Sequence, residues 1–135
     1  MNLATRLFYY QYKYPRLRRI ISIVMRLLFS CDISGPKSAG GGISLEHNAL
    51  GIVISSEVIL GDNVSIYQNV TIGANKGGYP IIGNNVKIYP NSTIVGRIRI
   101  GDNVVIGANS FVNKDLPSNT VWGGVPARLL RKIES

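Results

Sequence analysis

The chain has 135 residues, 45% of them hydrophobic and only 16% charged, with 15 glycines and one cysteine. One domain with a real core is expected; abundant Gly, few charges and few aromatics favour repeated turns over a helical bundle. A single cysteine excludes an intrachain disulfide and makes a reducing compartment the easier reading.

The net charge of +8 is unevenly placed: residues 1–31 hold Arg6, Lys13, Arg16, Arg18, Arg19 and Arg26 and no acidic residue. Leu17, Ile20, Ile21, Val24, Leu27 and Leu28 keep the i, i+3, i+4 spacing of an amphipathic helix. Pro15 separates it from an earlier aromatic piece, Leu7 to Tyr14. The apolar run Ile20–Phe29 is too short to span a bilayer and contains Arg26, and no small-residue cleavage site follows it. The preferred reading packs the stripe on the rest of the fold or on a neighbouring subunit, with the arginines solvated. Peripheral contact with an anionic membrane surface is the alternative. Nucleic acid is not an expected partner, because the charge is confined to one helix with no reading motif behind it. Cys31, at the helix end, reads as a core residue rather than a nucleophile.

From Asp32 to Gly51 the chain is irregular, with Gly35-Pro36 and Gly40-Gly41-Gly42, and it contains the only histidine, His47. A lone histidine carries little weight, but Asp32 lies fifteen residues before it. In a triangular coil of about eighteen residues that spacing sets the carboxylate nearly one rung below the imidazole. From there it would hold one ring nitrogen and leave the other free as a base.

From Leu60 to Leu116 an aliphatic residue returns every six positions: Leu60, Ile66 and Ile72, then Ile82, Ile88, Ile94, Ile100, Ile106 and Val112. Six does not fit a 3.6-residue helix but suits strands of period two, and a hexapeptide period is the signature of a parallel β-helix. Inward-facing partners include Val58, Val64, Val70, Val86, Ser92, Ile98, Val104 and Ser110. Asp62-Asn63, Asn84-Asn85 and Asp102-Asn103 fall where the coil must bend, and Asn and Asp tolerate left-handed backbone angles. The step from Ile72 to Ile82 has four extra residues, so Ala74–Ile81 should bulge as a loop. The expected divisions are a basic helical segment (1–31), the β-helix (32–128) and a tail (129–135).

Three stretches are more specific: Asp32-Ile33 through Glu46-His47, Gly51 through Gly73, and the closing Gly123-Gly124-Val125-Pro126-Ala127-Arg128. Together they resemble the catalytic core of the serine acetyltransferases. The resemblance implies a left-handed parallel β-helix after a short helical segment, an all-β class of fold. It also implies a homotrimer with acetyl-CoA bound between adjacent subunits, and it matches His47 to the general base and Asp32 to its orienting carboxylate. Gly73, Gly107 and Ala108 match positions where small residues admit the pantetheine arm. Pro126, Ala127 and Arg128 match the adenine and phosphate end, where Arg128, Arg131 or Lys132 would pair with a CoA phosphate.

The departures bear on the acceptor. Serine acetyltransferases carry an Arg-His pair before the loop proline, whereas this chain has Gly78-Tyr79-Pro80. Glu46 stands where the family has Asp, and the His-to-Gly spacing is one residue longer. The family's long N-terminal helical domain is here about thirty residues. Without the arginine an amino-acid carboxylate loses its forked partner. The short form also resembles the O-acetyltransferases of capsule, lipopolysaccharide and exopolysaccharide pathways, which implies a sugar hydroxyl as acceptor, with Tyr79 and Glu46 against it. Serine is the alternative. From another class, a non-catalytic scaffold or membrane-binding module remains. No metal is expected, since a zinc site takes about three His ligands and the chain has one His. A cytoplasmic location is expected, at the inner face of the membrane if the helix touches it.

Overall fold

The computed structural model describes residues 1–134. Two helices, α1 (Leu3–Lys13) and α2 (Arg18–Phe29), are joined by a 3-10 turn at Pro15–Leu17. Asn2 caps α1, its Oδ1 accepting from the Thr5 N–H, and Ser30 ends α2 in the left-handed conformation.

The chain then winds as a parallel β-helix. The first coil is β1 (Asp32–Ile33), β2 (Ser38–Ala39) and β3 (Ser44–Leu45); the second is β4 (Val53–Ile54), β5 (Ile59–Leu60) and β6 (Ser65–Ile66). The third is β7 (Thr71–Gly73), β8 (Ile81–Ile82) and β9 (Lys87–Ile88); the fourth is β10 (Thr93–Val95), β11 (Arg99–Ile100) and β12 (Val105–Ile106). A last coil adds β13 (Phe111–Val112) and β14 (Thr120–Gly123). Strands stack into three sheets, β1-β4-β7-β10-β13, β2-β5-β8-β11 and β3-β6-β9-β12-β14. The expected tail is instead partly a strand: β15 (Arg128–Lys132) turns back antiparallel on β14.

Every beat residue and partner named from the sequence lies inside the prism. Its two polar members are satisfied there, since the Ser92 and Ser110 hydroxyls both donate to the Gly107 carbonyl, at 2.9 and 2.6 Å. The corners are built as expected and more widely: Asn63, Asn85 and Asn103 are left-handed, and so are Asn69, Asn91, Asn109 and Asn119. At one corner each coil caps the one before it. The N–H groups of Gly41, Asp62, Asn84 and Asp102 donate to side-chain oxygens of Asp62, Asn84, Asp102 and Ser118, at 2.7–2.9 Å. Gly61 is required there, because a Cβ would stand 2.6 Å from the Gly83 carbonyl oxygen.

Within one chain most of the α2 stripe does not pack on the β-helix. Ile21 alone of that stripe is partly buried against the core and Met25 is the buried residue of the helix, while α1 buries Ala4, Thr5, Phe8 and Gln11. The physical reason lies in the first coil, whose lower edge has no coil beneath it to pair its backbone groups. Polar side chains supply the partners. The Leu45 N–H donates to Thr5 Oγ1 at 3.0 Å, and Asn2 Nδ2 donates to the Leu45 carbonyl. Gln11 Nε2 donates to the Ile33 carbonyl at 2.9 Å. The Tyr9 hydroxyl accepts from the Ile43 N–H and donates to the Gly40 carbonyl, while the Tyr12 hydroxyl donates to the Pro36 carbonyl. An aliphatic stripe offers none of these bonds.

Thr5→Val keeps the shape but strands the buried Leu45 N–H, which should cost about 1–3 kcal/mol. Thermal melting should show a lower midpoint with the strand content of the folded protein unchanged; an unaltered midpoint would count against the capping role of α1.

Candidate active site

His47 sits at the corner where β3 passes to β4, and this corner is irregular. A regular passage, from Ile66 of β6 to Thr71 of β7, takes five steps, whereas Leu45 to Val53 takes eight. The three extra residues form a short bulge in which His47, Asn48 and Ala49 are all left-handed, with φ of 52°, 52° and 60°. The bulge is held from three sides. Asn48 Oδ1 accepts from the Ala4 N–H of α1, Ala49 is fully buried, and the Leu50 carbonyl accepts from the Asn69 N–H at 2.9 Å. His47 is thereby presented outward, exposed, on a fixed backbone.

Its neighbours follow from the register. Leu45 pairs with Ile66 and Ile66 with Ile88, so Glu46, Tyr67, Tyr89 and Gly107 succeed one another up this edge. His47, Gln68, Pro90 and Ala108 do the same one position on. The Tyr67 ring lies 6.4 Å from the imidazole and stacks on Tyr89 at 4.9 Å. The edge thus runs from the imidazole over two aromatic faces to the small residues Gly107 and Ala108. Gln68 has a buried Oε1 with no hydrogen-bond partner among the described residues. Sequence reading missed Tyr67, Tyr89 and Gln68. The available signal was two tyrosines directly after beat residues Ile66 and Ile88, where Gly often stands.

Asp32 pairs in register with Val53, because the bulge adds three residues to the coil that separates them. Its carboxylate pairs with Arg26 at 2.7 Å, and among the described residues no hydrogen bond or ion pair joins it to His47. Glu46 accepts from the Ser44 hydroxyl at 2.6 Å, so it too is engaged within its own coil.

The remaining candidates divide between places. Gly73 ends β7 at the next edge of the prism, beside the Ala74–Ile81 loop that carries Tyr79. That loop is a tight turn, with Asn75 and Gly78 exchanging backbone hydrogen bonds at 3.1 and 3.2 Å. Pro126, Ala127 and Arg128 form the turn into β15, where the Ala127 N–H donates to the Phe111 carbonyl at 2.8 Å. Arg128, Arg131 and Lys132 are exposed there. One chain therefore unites His47 with Gly107 and Ala108, but leaves Gly73 and Tyr79 on a different edge.

Residues 79–114 match the family model described as bacterial transferase hexapeptide, six repeats. The serine acetyltransferase of Buchnera aphidicola subsp. Schizaphis graminum is 38% identical over 139 residues, covering 98% of this chain and 53% of that protein. A solved serine acetyltransferase in complex with CoA superposes with a TM-score of 0.78 at 32% identity, covering 94% of this chain and 54% of the other. Soybean serine acetyltransferase complexed with serine gives 0.79 at 36% identity, again covering 94% and 54%. The chain carries bacterial transferase hexapeptide repeats and is similar over nearly its whole length to serine acetyltransferases. It spans about half the length of the curated relatives it matches.

Within this serine acetyltransferase-like fold, the loop before Pro80 carries Lys76 but no arginine, and a neighbouring coil brings one beside it. A Cβ on Gly78 would stand 3.1 Å from Arg97 Cβ, and Arg97 and Arg99 line one shallow cavity of about 250 Å³ with Tyr79 and Asp115. Arg97 comes from the next coil, nineteen residues on, so no local motif announces it.

Cys31 takes no part in this edge. It is buried, its thiol donates to the Met25 carbonyl at 3.5 Å, and burial pushes its pKa up from 9.0 to about 11. Burial likewise pushes the Tyr12 phenol from 10.0 to about 12, against a smaller lowering by Arg18. Both groups ionise later in the folded chain than in the unfolded one. The stability they contribute is complete below about pH 9 and is lost as pH rises through 11 and 12. The melting temperature should fall across that alkaline window, and Cys31→Ala should make the fall shallower. An identical slope in the variant would mean the thiol is not held neutral by its surroundings.

Proposed function

We propose that the chain is an acetyl-CoA-dependent O-acetyltransferase with His47 as general base. The observation that carries this reading is the outward His47 on its anchored bulge, on the same edge as Gly107 and Ala108. The similarity to serine acetyltransferases, one of them solved with CoA, supports acetyl-CoA as donor. An imidazole nitrogen takes the acceptor hydroxyl proton as the oxygen attacks the thioester carbonyl. The tetrahedral intermediate then collapses, the carbon–sulfur bond breaks, and the imidazolium returns the proton to the departing CoA sulfur. Asp32 is the orienting carboxylate of this scheme, which requires it to be shared with or released from Arg26. Gly107 and Ala108 leave room for the pantetheine arm, and Arg128, Arg131 and Lys132 supply cations for the CoA phosphates. Gly73 and the Tyr79 loop join the same site if a second copy sets that edge against the His47 edge, as in a homotrimer.

For the acceptor, serine is the better supported choice. The relatives are serine acetyltransferases, one of them solved with serine, and Arg97, whose aliphatic stem runs beside Gly78, carries a guanidinium of the kind an amino-acid carboxylate needs. A sugar hydroxyl is the second reading. Its support is the exposed Tyr79 and the stacked Tyr67 and Tyr89 near His47, flat faces suited to a pyranose ring.

Release of CoA thiol from acetyl-CoA should be measured with serine and with a panel of sugars and nucleotide sugars. His47→Ala should lower kcat by roughly two to four orders of magnitude with acetyl-CoA binding little changed. Wild-type turnover in that variant would move the base elsewhere. Arg97→Ala should raise the KM for serine at least about tenfold, with partial recovery in Arg97→Lys. If Arg97→Ala is silent while Tyr79→Ala raises the KM for a sugar, the serine reading fails and the sugar reading stands.

A further inference from the structure

We propose that the outer face of α2 docks on an anionic lipid bilayer. Two neighbouring features carry this. The first is an apolar face pointing away from the protein. Ile20, Ile23, Val24, Leu27 and Leu28 are 59%, 51%, 38%, 79% and 60% exposed, at the i, i+3, i+4, i+7, i+8 spacing of one helix face. The opposite face of the same helix is already used: Met25 is buried, and the Ser22 hydroxyl donates to the Ile33 carbonyl at 3.3 Å. A stripe so exposed on a helix that is anchored from behind lacks a partner rather than a fold.

The second feature is a basic cavity along the margin of that stripe. Arg16, Arg18, Arg19 and Arg26 line a cavity of about 450 Å³ together with Ser22, Ile23 and Ser34. Asp32 is the one carboxylate in its lining and is paired with Arg26. The Arg18 Nε–H is buried with no acceptor among the described residues. An anion is the complement this cavity lacks, and Ile23 belongs both to the cavity and to the apolar face. Guanidinium groups at phosphate level beside aliphatic side chains at acyl level are the arrangement of an interfacial helix lying in the membrane plane.

Charge selects between occupants. A second copy placed against this face would bring its own six basic residues from positions 1–31, with no acidic residue among them, toward the first set. An anionic headgroup layer reverses the sign of that interaction. No helix among the described residues is long and apolar enough to cross a bilayer, so contact is confined to the interface.

Flotation with vesicles of pure phosphatidylcholine, and of phosphatidylcholine with 30% phosphatidylglycerol, tests this without reference to any acceptor. The chain should bind the anionic vesicles at least about tenfold more tightly, and added salt should weaken that preference. The pair Ile23→Gln with Leu27→Gln should abolish flotation, and Arg16→Glu with Arg19→Glu should remove the preference for anionic vesicles. Circular dichroism and sedimentation of each variant check that fold and assembly persist. Flotation unchanged in both variants, no flotation of the parent chain, or displacement by millimolar inorganic phosphate alone would overturn the proposal. So would dissociation of a larger assembly by the glutamine pair, which would make the face a contact between copies.

Discussion

Everything in this molecule depends on backbone pairing between successive coils. A coil of three short strands buries little by itself and presents two open rows of N–H and C=O groups. Each row becomes acceptable only when another element supplies partners. Inside the stack the next coil does so, in register, from Asp32 with Val53 up to Ile106 with Trp122. Side chains extend the same logic at the corners, where Asp62, Asn84, Asp102 and Ser118 each accept from the coil before. The repeat is tolerant along its length and demanding at its ends.

The ends explain the two segments that do not repeat. Below the first coil, α1 substitutes for a missing coil, using Asn2, Thr5, Tyr9, Gln11 and Tyr12 where an aliphatic helix would have failed. Above the last coil, β15 pairs with β14 and turns the edge back on itself. Because α1 does the sealing, α2 is free to bury one narrow face and leave its aliphatic face outward. Its exposure follows from a division of labour between the two helices.

Several of the candidate residues stand where the repeat is broken. The corner with His47 has three additional residues, the Ala74–Ile81 loop has four, and the turn before β15 leaves the coil altogether. An interruption lets a side chain leave the regular polar surface and stand at a chosen angle, while the coils on either side keep its backbone still. The edge that carries His47 also carries Tyr67, Tyr89 and Gly107 at one register position, so the surface beside the imidazole is set by the residue that each successive coil contributes there.

The six-residue beat by itself determined the parallel β-helix, its buried residues from Val58 to Val112, and several of its corners. This follows because a period of six aliphatic positions has one way to bury every member. The sequence also marked the lone His47 as a candidate and the Ala74–Ile81 loop as an insertion. What only the tertiary structure decided were relations between coils. Asp32 lies under Val53 because the bulge adds three residues to that coil, and its carboxylate meets Arg26 of α2. Arg97 reaches the loop from the coil above, and the basic cavity forms because α2 leans on β1. The packing of the helices was equally illegible: periodicity measures how apolar a face is, whereas the open edge of the first coil selected for hydrogen-bonding side chains. A pattern read along the chain reports which residues avoid water, and the choice of neighbour is made across the chain, by unpaired backbone groups and by charge.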